Sequence, residues 1–127
     1  MTNLRKHSVL EGQNFANEVG FGQAGSVFID GDGASSPPTG AVFVAITFLD
    51  DTIFDAGAGG LVAENSAKFA NTVAAAHDNV DGSETASEGS GGVVIDASNT
   101  FPAGITIYGR WSEIDLTSGM IIAYIGV

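Results

Sequence analysis

The residues of this sequence best suited to chemistry are acids in turns. Asp30-Gly31-Asp32-Gly33 sets two carboxylates either side of a glycine, and Asp50, Asp51 and Asp55 follow the most apolar stretch of the chain. Hard cations such as calcium want several carboxylate oxygens. The first group lacks the further acidic positions and the closing Glu of an EF-hand loop, and a turn after a strand is an ordinary place for Asp. Both groups therefore read as solvated turn acids, and no metal is expected. Ser90, His77, Asp78 and Asp96 supply the atoms of a hydrolase triad, but no Gly-x-Ser-x-Gly surrounds the serine. His7 and His77 are the only histidines and read as exposed titrating groups. The runs Gly57-Ala58-Gly59-Gly60 and Gly89-Ser90-Gly91-Gly92 lack the Lys-Ser/Thr that completes a phosphate-binding loop. The expectation is a protein with no catalytic residues and no cofactor, not an enzyme.

Charge narrows the partners. Fifteen Asp and Glu against four Lys and Arg give a net charge of −11, and the cations are Arg5, Lys6, Lys68 and Arg110. Phosphate backbones and anionic membrane surfaces are bound through clustered Lys and Arg, so neither nucleic acid nor membrane is an expected partner. An acid surplus with so little lysine also suits solubility in salty water, where self-repulsion is screened. No cysteine is present, which removes disulfides, thiolate nucleophiles and Cys-based zinc sites. The basic start, Arg5-Lys6-His7, has no apolar run behind it, so a soluble chain without a secretory signal is expected.

The elements that would position these residues are strands. A chain of 127 residues, 44% hydrophobic and with 18 glycines, has room for one core broken by many turns. Residues 1–23 are weakly patterned and read as an N-terminal arm whose Phe15 and Phe21 settle against something, leaving 24–127 as the β domain. Gly25 to Asp30 reads as a strand, and the loop Ser35 to Gly40 contains two prolines that a strand interior would reject. Ala41 to Leu49 is continuously apolar and β-branched, as a central strand covered on both faces would be. Thr52-Ile53-Phe54 reads as a short returning partner. Leu61 to Ala76 admits a helix or a strand followed by loop, and Asn71-Thr72 in its middle favours the second. His77 to Gly92 reads as a long polar loop, then Val93-Val94-Ile95 and Ile105 to Tyr108 as strands.

Thr117-Ser118-Gly119 reads as a hairpin loop pairing Leu116 with Met120, Ile114 with Ile122 and Ser112 with Tyr124. That register buries those residues and turns Trp111, Ile121 and Ile125 to the opposite face beside Glu113 and Asp115, as an apolar stripe in need of a cover. Gly109 would let the strand bulge and re-aim Arg110 and Trp111, and Arg110, the last cation, would pair with a carboxylate of its own chain or a neighbour. A buried Trp111 and a surface pair for Arg110 remain the competing reading. The candidate interface residues are therefore Phe15, Phe21, Arg110, Trp111, Ile121 and Ile125.

The run Phe101-Pro102-Ala103-Gly104-Ile105-Thr106-Ile107-Tyr108-Gly109-Arg110-Trp111, with Ser112-Glu113-Ile114 and Ser118-Gly119-Met120-Ile121-Ile122-Ala123-Tyr124, resembles the C-terminal signature of small structural proteins of tailed, especially marine, bacteriophages. These are of the head-decoration or cement kind. The resemblance covers about the last 27 residues distinctly and the earlier glycine-rich strands loosely. It implies a virion component on the capsid surface, assembled in the host cytoplasm, with the major capsid protein as partner and a dimer or trimer as its state. The expected fold is a single antiparallel β-sandwich or jelly-roll-like domain. A tail or fibre component, a calcium-dependent extracellular binding module and, last, a small hydrolase are the alternatives.

Overall fold

The computed structural model describes residues 23–66, 68–73 and 92–127. They form an all-β fold. The strands are β1 (Ser26–Asp30), β2 (Val42–Phe48), β3 (Ile53–Phe54), β4 (Leu61–Ala63), β5 (Thr106–Ile114), β6 (Leu116–Ser118) and β7 (Met120–Gly126), with one 3-10 turn at Gly57–Gly59. Five of them make an antiparallel sheet in the order β1-β7-β2-β5-β4, and β3 pairs with β6 as a separate ribbon. The two antiparallel sheets differ in size among the described residues, five strands against two.

β2 is central, as its unbroken apolar run predicts, pairing with β7 along one edge and β5 along the other. Phe43, Ile46 and Phe48 face the core and are buried, and Ala45 on the other side is also buried. The inward faces of the neighbouring strands add Ile29, Ile121, Ala123, Trp111, Ile114, Leu61 and Ala63. The ribbon closes the core at one end. Its Phe54 meets Phe48 edge-on at 5.9 Å, and Phe101 stacks on Phe48 at 5.1 Å while meeting Phe54 edge-on at 5.3 Å. Such aromatic pairs add specific attraction to the area they bury.

The expected C-terminal hairpin does not form. β5 and β7 both run antiparallel to β2, which lies between them, so they are parallel to one another. Leu116 to Ser118 is itself β6, paired with Ile53 and Phe54, and Ile53-Phe54 returns to β6 rather than to β2. Gly119 has φ 113°, and a Cβ there would lie 2.3 Å from Thr52 Oγ1, so the glycine serves a chain corner packed on Thr52. Thr-Ser-Gly suits a corner as well as a hairpin, and the local sequence does not distinguish them.

The same topology overturns the expected faces. β5 carries an extra residue between Tyr108 and Trp111 relative to β2, and another between Trp111 and Glu113 relative to β4. The first of these is the bulge expected at Gly109. The bulges let Trp111 and Ile114, three positions apart, both point into the core, where each is fully buried. A Cβ on Gly109 would meet the Trp111 ring at 2.6 Å, and the indole Nε1 donates to Ala70 O at 2.7 Å. On β7 it is Ile121 and Ala123 that turn inward. Trp111 and Ile121 have their cover within the chain.

Leu61 to Val73, where described, is β4 followed by loop. Asn71 and Thr72 are buried and hold that loop: Asn71 Nδ2 donates to Ser66 O and Phe69 O, and Thr72 Oγ1 accepts from Leu61 N and donates to Gly57 O. Val93 to Ile95 is not a strand; Ile95 makes one backbone bond, to Asn71 O, and packs against the core. Residues 1–22 of the expected arm and 77–91 of the expected loop lie outside the described residues.

With its only tryptophan fully enclosed, the protein should show blue-shifted emission that moves red in one urea transition. Trp111→Ala should lower the unfolding free energy in urea by about 3–5 kcal/mol.

Candidate functional site

The register defines which side chains leave the core. Directly opposed residues on antiparallel strands share a face, so Phe28, Ile122, Thr47 and Thr106 form one row across β1, β7, β2 and β5, and Ser26, Tyr124, Ala45 and Tyr108 form the next. Asp30 and Met120 begin a third. This is the outward face of the large sheet. Phe28 is 59% exposed and Tyr108 74%, while Ile122, Tyr124 and Met120 are half-buried. At its centre the Thr47 and Thr106 hydroxyls bond to each other at 2.9 Å, which leaves little unsatisfied polarity between the apolar flanks. Large exposed apolar residues gathered on one sheet face are characteristic of association surfaces.

The residues nominated from sequence fall elsewhere. Phe15 and Phe21 lie outside the described residues. Trp111 and Ile121 are buried, and Ile125 is half-buried, packed against the core. Arg110 pairs with a carboxylate of its own chain: its guanidinium forks onto Glu64, Nε to Oε1 at 2.7 Å and Nη2 to Oε2 at 3.1 Å, while Nη1 donates to Val127 O at 3.0 Å. The Arg110 guanidinium holds the Glu64 carboxyl below the usual range. This fork ties β5 to the end of β4 and the last residue, and its exposure makes it a positioning contact more than a source of stability. The face that does emerge, with Phe28, Tyr108, Met120, Ile122 and Tyr124, was missed because the hairpin register assigned Met120, Ile122 and Tyr124 to the core. An alternation of 120, 122 and 124 against 121, 123 and 125 is visible in the sequence, but both sets are apolar enough to be the core.

The acids divide. Asp51 Oδ1 accepts from Ala103 N at 3.1 Å, and Asp50 Oδ1 accepts from Asp51 N at 2.8 Å, each fixing a turn. Asp96 does the same for Ser98, whose hydroxyl and amide hold the Asp96 carboxyl below its ordinary range. The other members of the triad arithmetic, His77, Asp78 and Ser90, lie outside the described residues. A grouping not anticipated from sequence brings Asp32, Asp55 and Asp115 together, with one oxygen of each within 4.8 Å of the others. Gly33 N donates to Asp115 Oδ1 at 3.0 Å, and Thr117 Oγ1 donates to Asp55. Partial burial, together with the neighbouring Asp55 and Asp32, raises Asp115 above the usual carboxylate range against the opposing Gly33 amide. The donor type suits a hard cation, yet three carboxyls fall well short of the roughly six to eight oxygens calcium takes, so water would have to supply the rest.

Comparison with protein families, curated proteins and solved structures finds no match for this chain.

A carboxyl raised in the folded state opposes folding once it ionises: stability falls as pH rises from the ordinary carboxylate range through the raised value, and the deficit persists at neutral pH. Asp115→Asn keeps the acceptor for Gly33 N and removes the crowded charge. It should raise Tm by up to a few degrees at pH 7, an advantage that vanishes as the solution is acidified to about pH 4 in a calorimetric pH series. A lower Tm for the variant at pH 7 would show that the three acids stabilise the fold as charged groups.

Proposed function

We propose that this chain is a non-enzymatic structural component of a tailed-bacteriophage virion, acting as a capsid decoration protein that seats on the major capsid protein. The observation that carries the reading is the outward face of the five-stranded sheet, where Phe28, Tyr108, Tyr124, Ile122 and Met120 gather with no charged side chain in the two rows between them. The likeness of residues 101–124 to phage structural proteins supports it from the sequence side, and that stretch contributes much of this face.

The mechanism is mechanical. Each copy seated across neighbouring capsid subunits binds only the assembled lattice, so mass action moves the equilibrium away from disassembly, and many weak contacts add up over the shell. Burying the exposed parts of Phe28 and Tyr108 offers roughly 1.5–3 kcal/mol for each large side chain before association costs. With a net charge of −11, the remaining surface keeps particles apart at low salt and makes packaged DNA an unfavourable partner.

The test is addition of the purified chain to capsids that lack it, with bound copies counted by mass spectrometry and particle survival followed on heating. Saturable binding and raised thermal resistance are expected. Tyr108→Thr with Ile122→Thr, which puts a residue of good strand propensity at both positions, should lose binding while the free protein still melts cooperatively. Unaltered particle stability at saturating occupancy would remove the cementing role, and localisation to purified tails would replace the head with the tail.

A further inference from the structure

The two edges of the five-stranded sheet are treated differently. At the β4 edge, Leu61 N donates to Thr72 Oγ1 at 2.8 Å and Leu61 O accepts from Thr72 N at 2.9 Å, and the strand is three residues long with a register shift. That edge is short, irregular and covered. β1 has none of these protections among the described residues: its five residues pair with β7 without a register shift, and they include neither lysine nor proline.

The bonds at either end of β1 show which of its backbone groups β7 does not pair. Ile125 N donates to Gly25 O at 2.9 Å and Gly31 N donates to Gly119 O at 3.0 Å. Both belong to the register that sets Val27 opposite Ala123 and Ile29 opposite Ile121. In an antiparallel pair, alternate residues exchange both bonds with the neighbour, so the odd-numbered residues of β1 bond to β7. Ser26, Phe28 and Asp30 therefore turn their N–H and C=O groups away from the sheet, and all three side chains are exposed.

We propose that β1 is a dimerisation edge, onto which β1 of a second copy adds antiparallel about a two-fold axis at Phe28. The occupant is another copy of this chain because the strand is nearly symmetric about that residue. Ser26-Val27-Phe28-Ile29-Asp30 reads small polar, aliphatic, aromatic, aliphatic, small polar in both directions. Centring the axis on Phe28 matches every edge-facing group: Phe28 bonds to Phe28 of the partner subunit, and each Ser26 exchanges bonds with Asp30 of the partner subunit. Val27 and Ile29 then meet across the inner face and extend the core stripe, and the two Phe28 rings cover each other on the outer face. The same register places each Asp30 opposite a serine hydroxyl, where an axis at residue 30 would oppose two carboxylates. The ten-stranded sheet that results doubles the apolar outward face. This inference rests on the strand edge alone and stands or falls separately from the capsid reading.

The net charge of −11 on each copy opposes association, so the dimer should tighten as salt screens the repulsion. Sedimentation equilibrium of the full chain across protein concentration, at about 0.05 M and about 0.5 M salt, should show a monomer–dimer equilibrium that shifts to dimer at the higher value. Ser26→Asp sets carboxylate against carboxylate twice across the axis and should weaken the dimer by roughly tenfold, and Ser26→Lys should tighten it at low salt by a similar factor. Both change an exposed side chain and should leave the melting of the monomer intact. Amide exchange should add protection at Ser26, Phe28 and Asp30 with rising concentration, while Val27 and Ile29 are protected throughout. A monomer at every concentration and salt, or a dimer indifferent to both substitutions at position 26, overturns the proposal.

Discussion

Everything in this fold answers to one constraint, that β2 has two backbone edges to pair and a large apolar inward face to cover. Its seven residues form ladders with β7 and β5, so its buried N–H and C=O groups find partners on both sides. Its inward face needs Trp111, Ile121 and the Phe48–Phe54–Phe101 cluster to complete it. The chain meets that demand by sending β5 and β7 to opposite sides of β2 and turning the short link between them into β6, which joins the ribbon that caps the core. The bulges are the local cost. They unpair single residues of β5 and β2 while keeping the large side chains on the correct side.

The central strand itself was legible, because an unbroken β-branched and aromatic run has few other uses. So were β1, the bulge at Gly109, and a short strand at the head of the 61–76 segment, since Asn71 and Thr72 serve poorly in a helix and serve well as buried hydrogen-bonding loop residues. The order of the sheet was not legible. Thr117-Ser118-Gly119 carries the same turn chemistry whether the strands on either side pair with each other or are parted by a third, and the choice depends on β2, about 70 residues away. From that one long-range fact the rest follows. With the hairpin assumed, period-two alternation put Met120, Ile122 and Tyr124 inside and left Trp111 and Ile121 outside; with β2 interposed and β5 bulged, the assignment reverses. The apolar outward face was hidden in the sequence because both faces of β7 are apolar. The acids behaved similarly: Asp50 and Asp51 are the separate turn acids that local reading suggests and Asp30 is instead the last residue of β1, whereas Asp32, Asp55 and Asp115 meet only because three links between strands converge.

Two surfaces result from this topology, and they differ in what they ask of a partner. The outward face of the sheet offers side chains and rewards any apolar surface of matching shape. The β1 edge offers backbone groups in a fixed register and rewards a strand. Both lie on the same sheet, so pairing along the edge would present two outward faces side by side, and a particle decorated in this way would engage each unit through two footprints instead of one. The net charge of −11 acts against both contacts at low ionic strength and is screened as salt rises.

β2 separates β5 from β7, which encloses Trp111 and turns Tyr108 out. Hydroxyl-radical footprinting of the free protein, read residue by residue by mass spectrometry, tests it directly. Rapid oxidation is expected at Tyr108 and Phe28, with Trp111 protected until the protein unfolds even though tryptophan is intrinsically among the most reactive side chains. Oxidation of Trp111 as fast as that of Tyr108 in the folded protein would contradict it.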